Sequence, residues 1–148
     1  MKEQAFMHKF IFTPGVWQGE GQITFSMAED ELVFKTRWTL APKEEERILL
    51  SQTIEVDNVP DKMVNNFAIS DMTASSFVIE LENNLIGKVQ GKGVVDEKTI
   101  AWEFRNTPQQ FEGFEIYELQ PDGSYKVRAE FTAGEGLRTY VKGTIRAN

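Results

Sequence analysis

Cysteine is absent from the 148 residues and histidine occurs once, as His8. The first absence excludes disulfides, thiolate nucleophiles and cysteine-based zinc or iron–sulfur sites, a composition that fits a cytosolic protein. A lone histidine ahead of the first strand leaves no imidazole cluster for zinc and no sensible serine–histidine pair. Neither a metal nor a cofactor is expected. Basic residues are scarce too: 16 Lys and Arg against 23 Asp and Glu give a net charge of -7. With no Lys/Arg-rich run to offset that balance, a nucleic-acid partner is disfavoured. Also missing is any long apolar run. "MKEQAFMHKFIF" breaks its apolar residues with Glu3, His8 and Lys9, so it lacks the continuous core of a signal peptide, and no later segment approaches membrane-spanning length. The chain is expected to be unexported, soluble and cytoplasmic. The acidic stretches "AEDE" and "KEEER" look like solvated turn charges rather than a metal site.

What the chain does contain is period-two alternation, in segment after segment, each ending at turn-forming residues. "PGVWQGEGQITFSM" is followed by "LVFKTRWTL", with Phe34, Thr36 and Trp38 on one face. In "ERILLSQTIEV", Gln52 joins Ile48, Leu50 and Ile54. The facing of "MVNNFAIS" is ambiguous. "SSFVIELE" and "LIGKVQGKGVV" read as a hairpin in which Asn83-Asn84 supply the positive φ values and Leu85, Val89 and Val95 align. "TIAWEFR" places Ile100, Trp102 and Phe104 in phase. "FEGFEIYEL" leads through the Pro-Asp-Gly turn of "QPDGS" into "YKVRAEFTA", and "LRTYVKGTIR" ends the series. About ten strands with short links and no sustained internal helical period predict one all-β domain over residues 1–148. Ten sequential antiparallel strands left open would expose long edges, so a closed up-and-down barrel is expected, with a two-sheet sandwich as the alternative. Before Pro14, "EQAFMHKFIF" can pair Phe6 with Phe10 and Met7 with Ile11 on a helical face, or alternate as a strand. A short N-terminal helix or arm plugging one barrel end is preferred.

Inward aromatics include Phe34, Trp38, Trp102, Phe104, Tyr117 and Phe131. They can line a pocket or simply fill the barrel. A ten-stranded barrel is wide enough that a cavity is the expectation. Thr36, Gln52, Glu115 and Thr139 are the inward polar candidates, with Tyr117 two residues beyond Glu115 on the same face. A buried glutamate must be paired or protonated, so an inward Glu115 would mean a ligand contact or a general acid/base. Phe114 and Ile116 can equally claim the core and turn Glu115 outward. Both facings stay open.

The "PGVWQGEGQI" start, the ten alternating strands and the final "GLRTYVKGTI" together resemble the calycin-like barrels: lipocalins, fatty-acid-binding proteins and bacterial nitrobindin-like families. A glycine-x-tryptophan element closing the barrel base is matched by Gly15 and Trp17. The resemblance implies a container for a small hydrophobic or amphipathic molecule, lipids included. The late histidine that holds haem in nitrobindin-like proteins has no counterpart, so haem is not expected. Arg138 and Tyr140 match the Arg-x-Tyr spacing with which fatty-acid-binding proteins hold a carboxylate. Local alternation, with Leu137, Val141 and Ile145 apolar, turns Arg138 outward instead. The expected ligand-binding set is Phe34, Thr36, Trp38, Gln52, Trp102, Phe104, Glu115, Tyr117, Phe131, Arg138 and Tyr140. Binding is favoured over catalysis. The alternatives are an isomerase- or cyclase-type enzyme using Glu115 and Tyr117, or a filled barrel whose exposed apolar patch would mark a partner or a homodimer.

Overall fold

The alternation is realised in ten antiparallel strands. A computed structural model of the protein describes residues 8–105, 107–133 and 136–148. The strands are β1 (Gly15–Phe25), β2 (Glu31–Leu40), β3 (Ile48–Val56), β4 (Met63–Ser70), β5 (Ser76–Asn83), β6 (Gly87–Val95), β7 (Thr99–Phe104), β8 (Phe111–Leu119), β9 (Tyr125–Ala133) and β10 (Arg138–Ala147). Each pairs with its sequence neighbours, and β10 returns to pair with β1, from Trp17 opposite Ala147 to Phe25 opposite Thr139. The barrel is closed, which removes every edge. The alternative of a two-sheet sandwich is not adopted, since every strand pairs with its neighbours in sequence and none crosses over.

Up-and-down topology gives the barrel two dissimilar ends. At the one where β1 begins, beside Leu40 and Ile48, the core is densely filled: Phe10, Ile11, Trp17, Trp38, Ile100, Tyr125 and Ile145 are all buried. The core then continues along one side of the barrel through Phe77, Ile79, Leu81, Val89, Trp102 and Phe104. Glycine makes that packing possible. A Cβ on Gly93 would sit 2.0 Å from the Phe77 ring, so the ring occupies the space a side chain would need.

The structure corrects the expected N-terminal helix or arm. Among the described residues there is no helix. Lys9 to Thr13 form a turn, with the Phe12 and Thr13 amides donating to the Lys9 carbonyl at 3.3 and 3.1 Å. Ile11 adopts a φ of 62°, a region that costs a β-branched residue energy. What opposes that cost is burial: the turn drives the adjacent pair Phe10 and Ile11 into the barrel end, which a single helical face would not do. Phe6 and Met7, the other members of the anticipated helical face, lie outside the described residues.

Two smaller expectations also change. The β5–β6 hairpin takes its positive φ from Gly87, at 73°, rather than from Asn83-Asn84. Asn83 contributes its side chain instead, with Oδ1 accepting from the amides of Leu85 and Ile86. Leu85 therefore belongs to the turn and is 82% exposed, not aligned with Val89 and Val95. The Pro-Asp-Gly turn forms as expected, with Gly123 at a φ of 90°. No helix among the described residues is long and apolar enough to cross a membrane, a statement that does not bear on strands.

Candidate functional site

β8 carries apolar residues on both faces, and its neighbours decide which face points in. Register sets Tyr117 opposite Ile100 and Val127, Glu115 opposite Trp102 and Ala129, and Gly113 opposite Phe104 and Phe131. Gly113 matters here, because a Cβ on it would meet Phe131 at 2.4 Å. The bare backbone lets that ring lie across β8. Phe114 goes outward, where the Arg128 guanidinium stands 6.0 Å from its ring. Glu115 is thus carried into the interior by packing around it rather than by its own preference.

Beside the core lies a cavity of about 90 Å³, between the β1–β3 wall and the β8–β10 wall. Its apolar lining comes from Ile23, Phe34, Ile54, Val127, Ala129, Phe131 and Val141, with Trp38 and Tyr117 towards the filled end. Ile23, Ile54, Val127, Phe131 and Val141 are only half-buried. This is the end where β1 finishes, opposite the one closed by the N-terminal turn.

Two polar groups face one another across this space. On β8, the Tyr117 hydroxyl donates to Glu115 Oε1 at 2.6 Å, and both residues are buried. Burial pushes the Glu115 carboxyl from its ordinary 4.5 up to about 7, against a lesser pull downward from Tyr117 and from the Trp102 indole. The indole of Trp102, directly across the ladder, influences the carboxyl without making a well-formed hydrogen bond to it. Burial, then the Glu115 charge and hydrogen bond, hold the Tyr117 phenol well above its usual value. Near neutral pH the carboxyl can therefore serve as acid or base.

On the facing wall, side chains form a ladder across four strands. Gln52 Nε2 donates to Thr36 Oγ1 at 3.1 Å, Asn65 Nδ2 to Gln52 Oε1 at 3.1 Å, and Asn83 Nδ2 to Asn65 Oδ1 at 2.9 Å. Asn65 and Asn83 are not in the set expected from sequence. A cue exists for Asn65, which is in phase with the buried Phe67 and Ile69 and lies opposite Gln52. Two further donors lack a partner among the described residues: the buried indole nitrogens of Trp38 and Trp102. Each such group costs about 1–3 kcal/mol if left unsatisfied.

Of the residues selected from sequence, Phe34, Thr36, Trp38, Gln52, Glu115, Tyr117 and Phe131 line the cavity. Trp102 and Phe104 are buried beside it, Trp102 stacked on Tyr117 at 5.1 Å between ring centroids. Arg138 and Tyr140 are brought to the outer surface. Arg138 reaches Glu130 at 3.5 Å and borders an outer polar groove with Glu103, Arg105, Glu112 and Thr132. Their facing follows the alternation of β10, whose Val141 and Ile145 point inward. Among the described residues no group of three His, Asp or Glu is placed to hold a metal ion.

No family model and no curated protein sequence matches the chain. Solved structures do. The S-type phycobiliprotein lyase CPES from Guillardia theta is similar at a TM-score of 0.66 and 11% identity, with 92% of this chain and 88% of that one covered. Rv2717c from M. tuberculosis is similar at a TM-score of 0.69 and 12% identity, covering 91% and 92%. At these identities the likeness is one of fold alone, the closed antiparallel barrel of ten strands.

Proposed function

We propose that the protein binds a small hydrophobic or amphipathic molecule inside the barrel, in the cytosol, with its polar group between Glu115–Tyr117 and Thr36–Gln52. The observation that carries this reading is the cavity: aliphatic side chains and rings line it, and two hydrogen-bonding groups border it. Such a combination of apolar lining and few polar groups is how ligand sites gain affinity by burial and orientation by polar contact. Size limits the ligand. At about 90 Å³ the space is well below the roughly 300–1,000 Å³ of drug-sized sites, so a compact ring fits and a long acyl chain would have to part the half-buried rim.

The test fills the space. Ala129→Leu adds side-chain volume where Ala129 lines the cavity, opposite Glu115. Ligand-observed NMR with a set of small cyclic compounds should show uptake by the wild-type protein and at least a tenfold loss in the variant, with the fold retained. Equal uptake by both proteins would sink the reading.

A second reading is favoured by one observation, the Glu115 carboxyl raised to about 7 beside a hydrogen-bonded Tyr117. It suits proton transfer in an isomerase- or cyclase-type reaction. Glu115→Gln keeps the shape of the site and removes the titrating group. That variant should bind turnover substrates without converting them.

A further inference from the structure

We propose that the cavity selects a neutral ligand through a carbonyl oxygen, which accepts hydrogen bonds from the β2–β3 wall. This deepens the binding reading above and rests on it. The polarity of that wall is set at the β5–β6 turn. Asn83 Oδ1 accepts two backbone amides there, from Leu85 at 2.9 Å and Ile86 at 3.0 Å. A flipped amide would set NH₂ against two N–H donors, so the orientation of Asn83 is fixed by the backbone.

That orientation propagates. With its oxygen committed, Asn83 can offer Asn65 only a donor, which makes Asn65 Oδ1 the acceptor and leaves Asn65 Nδ2 to donate to Gln52 Oε1. Gln52 Nε2 then donates to Thr36 Oγ1. Every link donates in the same sense, from the turn towards the cavity. At the end stands the Thr36 hydroxyl, which has accepted one hydrogen bond and whose own proton has no acceptor among the described residues. The second hydrogen of Gln52 Nε2 is likewise uncommitted. Trp38, which also lines the cavity, carries a buried indole N–H without a partner among the described residues.

The wall therefore presents uncommitted donors to the cavity, and their complement is an acceptor. Opposite it is the Glu115 carboxyl, which, whenever it is ionised, repels an anionic acceptor in a water-poor interior. A neutral carbonyl meets both conditions: ketone, aldehyde, ester or lactam.

Three probes of matched ring and heavy-atom count separate the possibilities: cyclopentanone, methylcyclopentane and cyclopentylammonium. Their dissociation constants are measured by ligand-observed NMR on the wild-type protein, Thr36→Val and Asn83→Asp. Thr36→Val removes the terminal hydroxyl at nearly constant shape. Asn83→Asp still accepts the turn amides but cannot donate to Asn65, which breaks the polarity of the ladder. Backbone amide spectra report that each variant is folded. The expected result is that the affinity ratio of ketone to hydrocarbon falls about tenfold in Thr36→Val and by a smaller factor in Asn83→Asp, with hydrocarbon binding little changed. A ratio that is the same in all three proteins would overturn the proposal and leave the binding reading standing. Tightest binding of the ammonium would overturn it in favour of selection by an ionised Glu115. No uptake of any probe by the wild-type protein would overturn the proposal together with the binding reading.

Discussion

The two ends of this barrel are built from the same alternating strands and satisfy their buried polar groups in opposite ways. At the filled end, His8 is fully buried, and its Nε2 must donate to the Asp96 carbonyl, 2.6 Å away, because a carbonyl can only accept. Its Nδ1 is then the partner of the Tyr125 hydroxyl, also at 2.6 Å. Burial pushes the Tyr125 phenol up to about 12, so it remains a donor throughout the physiological range. Around this closed set, Phe10 packs against Trp17, Trp38, Tyr117 and Tyr125 with ring centroids 5.0 to 5.6 Å apart. At the cavity end, by contrast, the Thr36 hydroxyl proton and one hydrogen of Gln52 Nε2 have no acceptor among the described residues, and much of the apolar lining is half-buried. Interior polarity that is internally complete contributes to folding; polarity left open is available to a ligand.

The largest effect expected from this division is at the filled end. Phe10→Ala removes a fully buried ring that touches four others, and should cost about 3–5 kcal/mol in denaturant unfolding. Phe131→Ala, which removes a half-buried ring stacked on Phe111 at 5.5 Å, should cost less in stability and more in ligand affinity. If Phe10→Ala weakened ligand binding as much as Phe131→Ala in protein that remained folded, the separation of the ends would be wrong.

Glu115 supplies the next effect, and it depends on pH. Its carboxyl holds a proton up to about 7 in the folded chain and only to about 4.5 when unfolded. Between these values the folded state binds more protons, so stability falls as pH rises through the window; below it, the contribution is fully present. The decline should reach a few kcal/mol at most, on the order of 1.4 kcal/mol for each pH unit crossed. Glu115→Gln should flatten this part of the profile. An unchanged slope in the variant would mean that the carboxyl is not buried in the manner described.

Much of the barrel was legible in the chain, for reasons particular to strands. Period-two alternation in "LVFKTRWTL" or "TIAWEFR" is a local property, and the faces it assigns to Trp38 and Trp102 are those found. β8 was not legible in this way, since "FEGFEIYEL" is apolar on both faces. Its facing is settled by Trp102 and Phe131 on the adjacent strands, through the space above Gly113. The N-terminal turn depends on contacts more distant still: His8 and Tyr125 are 117 residues apart in sequence. Helical spacing of Phe6, Met7, Phe10 and Ile11 was a local signal, and at Phe10 and Ile11 tertiary burial overrode it. The ladder of Thr36, Gln52, Asn65 and Asn83 needs both the register of β2 to β5 and a turn in which Asn83 is bound by its side chain. The volume of the cavity follows from how rings pack across the barrel, which no single strand encodes.

The smallest effect belongs to the outer face and bears on the Arg-x-Tyr spacing of β10. Arg138 is half exposed and meets Glu130 at 3.5 Å, a solvent-screened pair of the kind that contributes little. Tyr140 is 38% exposed. Arg138→Ala and Tyr140→Phe should each change stability by no more than about 0.5 kcal/mol and leave ligand affinity at the wild-type value. Such a null result carries information because it is paired with Thr36→Val and Glu115→Gln, which alter polar side chains on the inner face. Should Arg138→Ala abolish binding of a carboxylate ligand while Glu115→Gln did not, the spacing would be functional after all. The ligand would then sit against the outer groove bordered by Arg138, and the interior cavity would be a packing feature of the barrel.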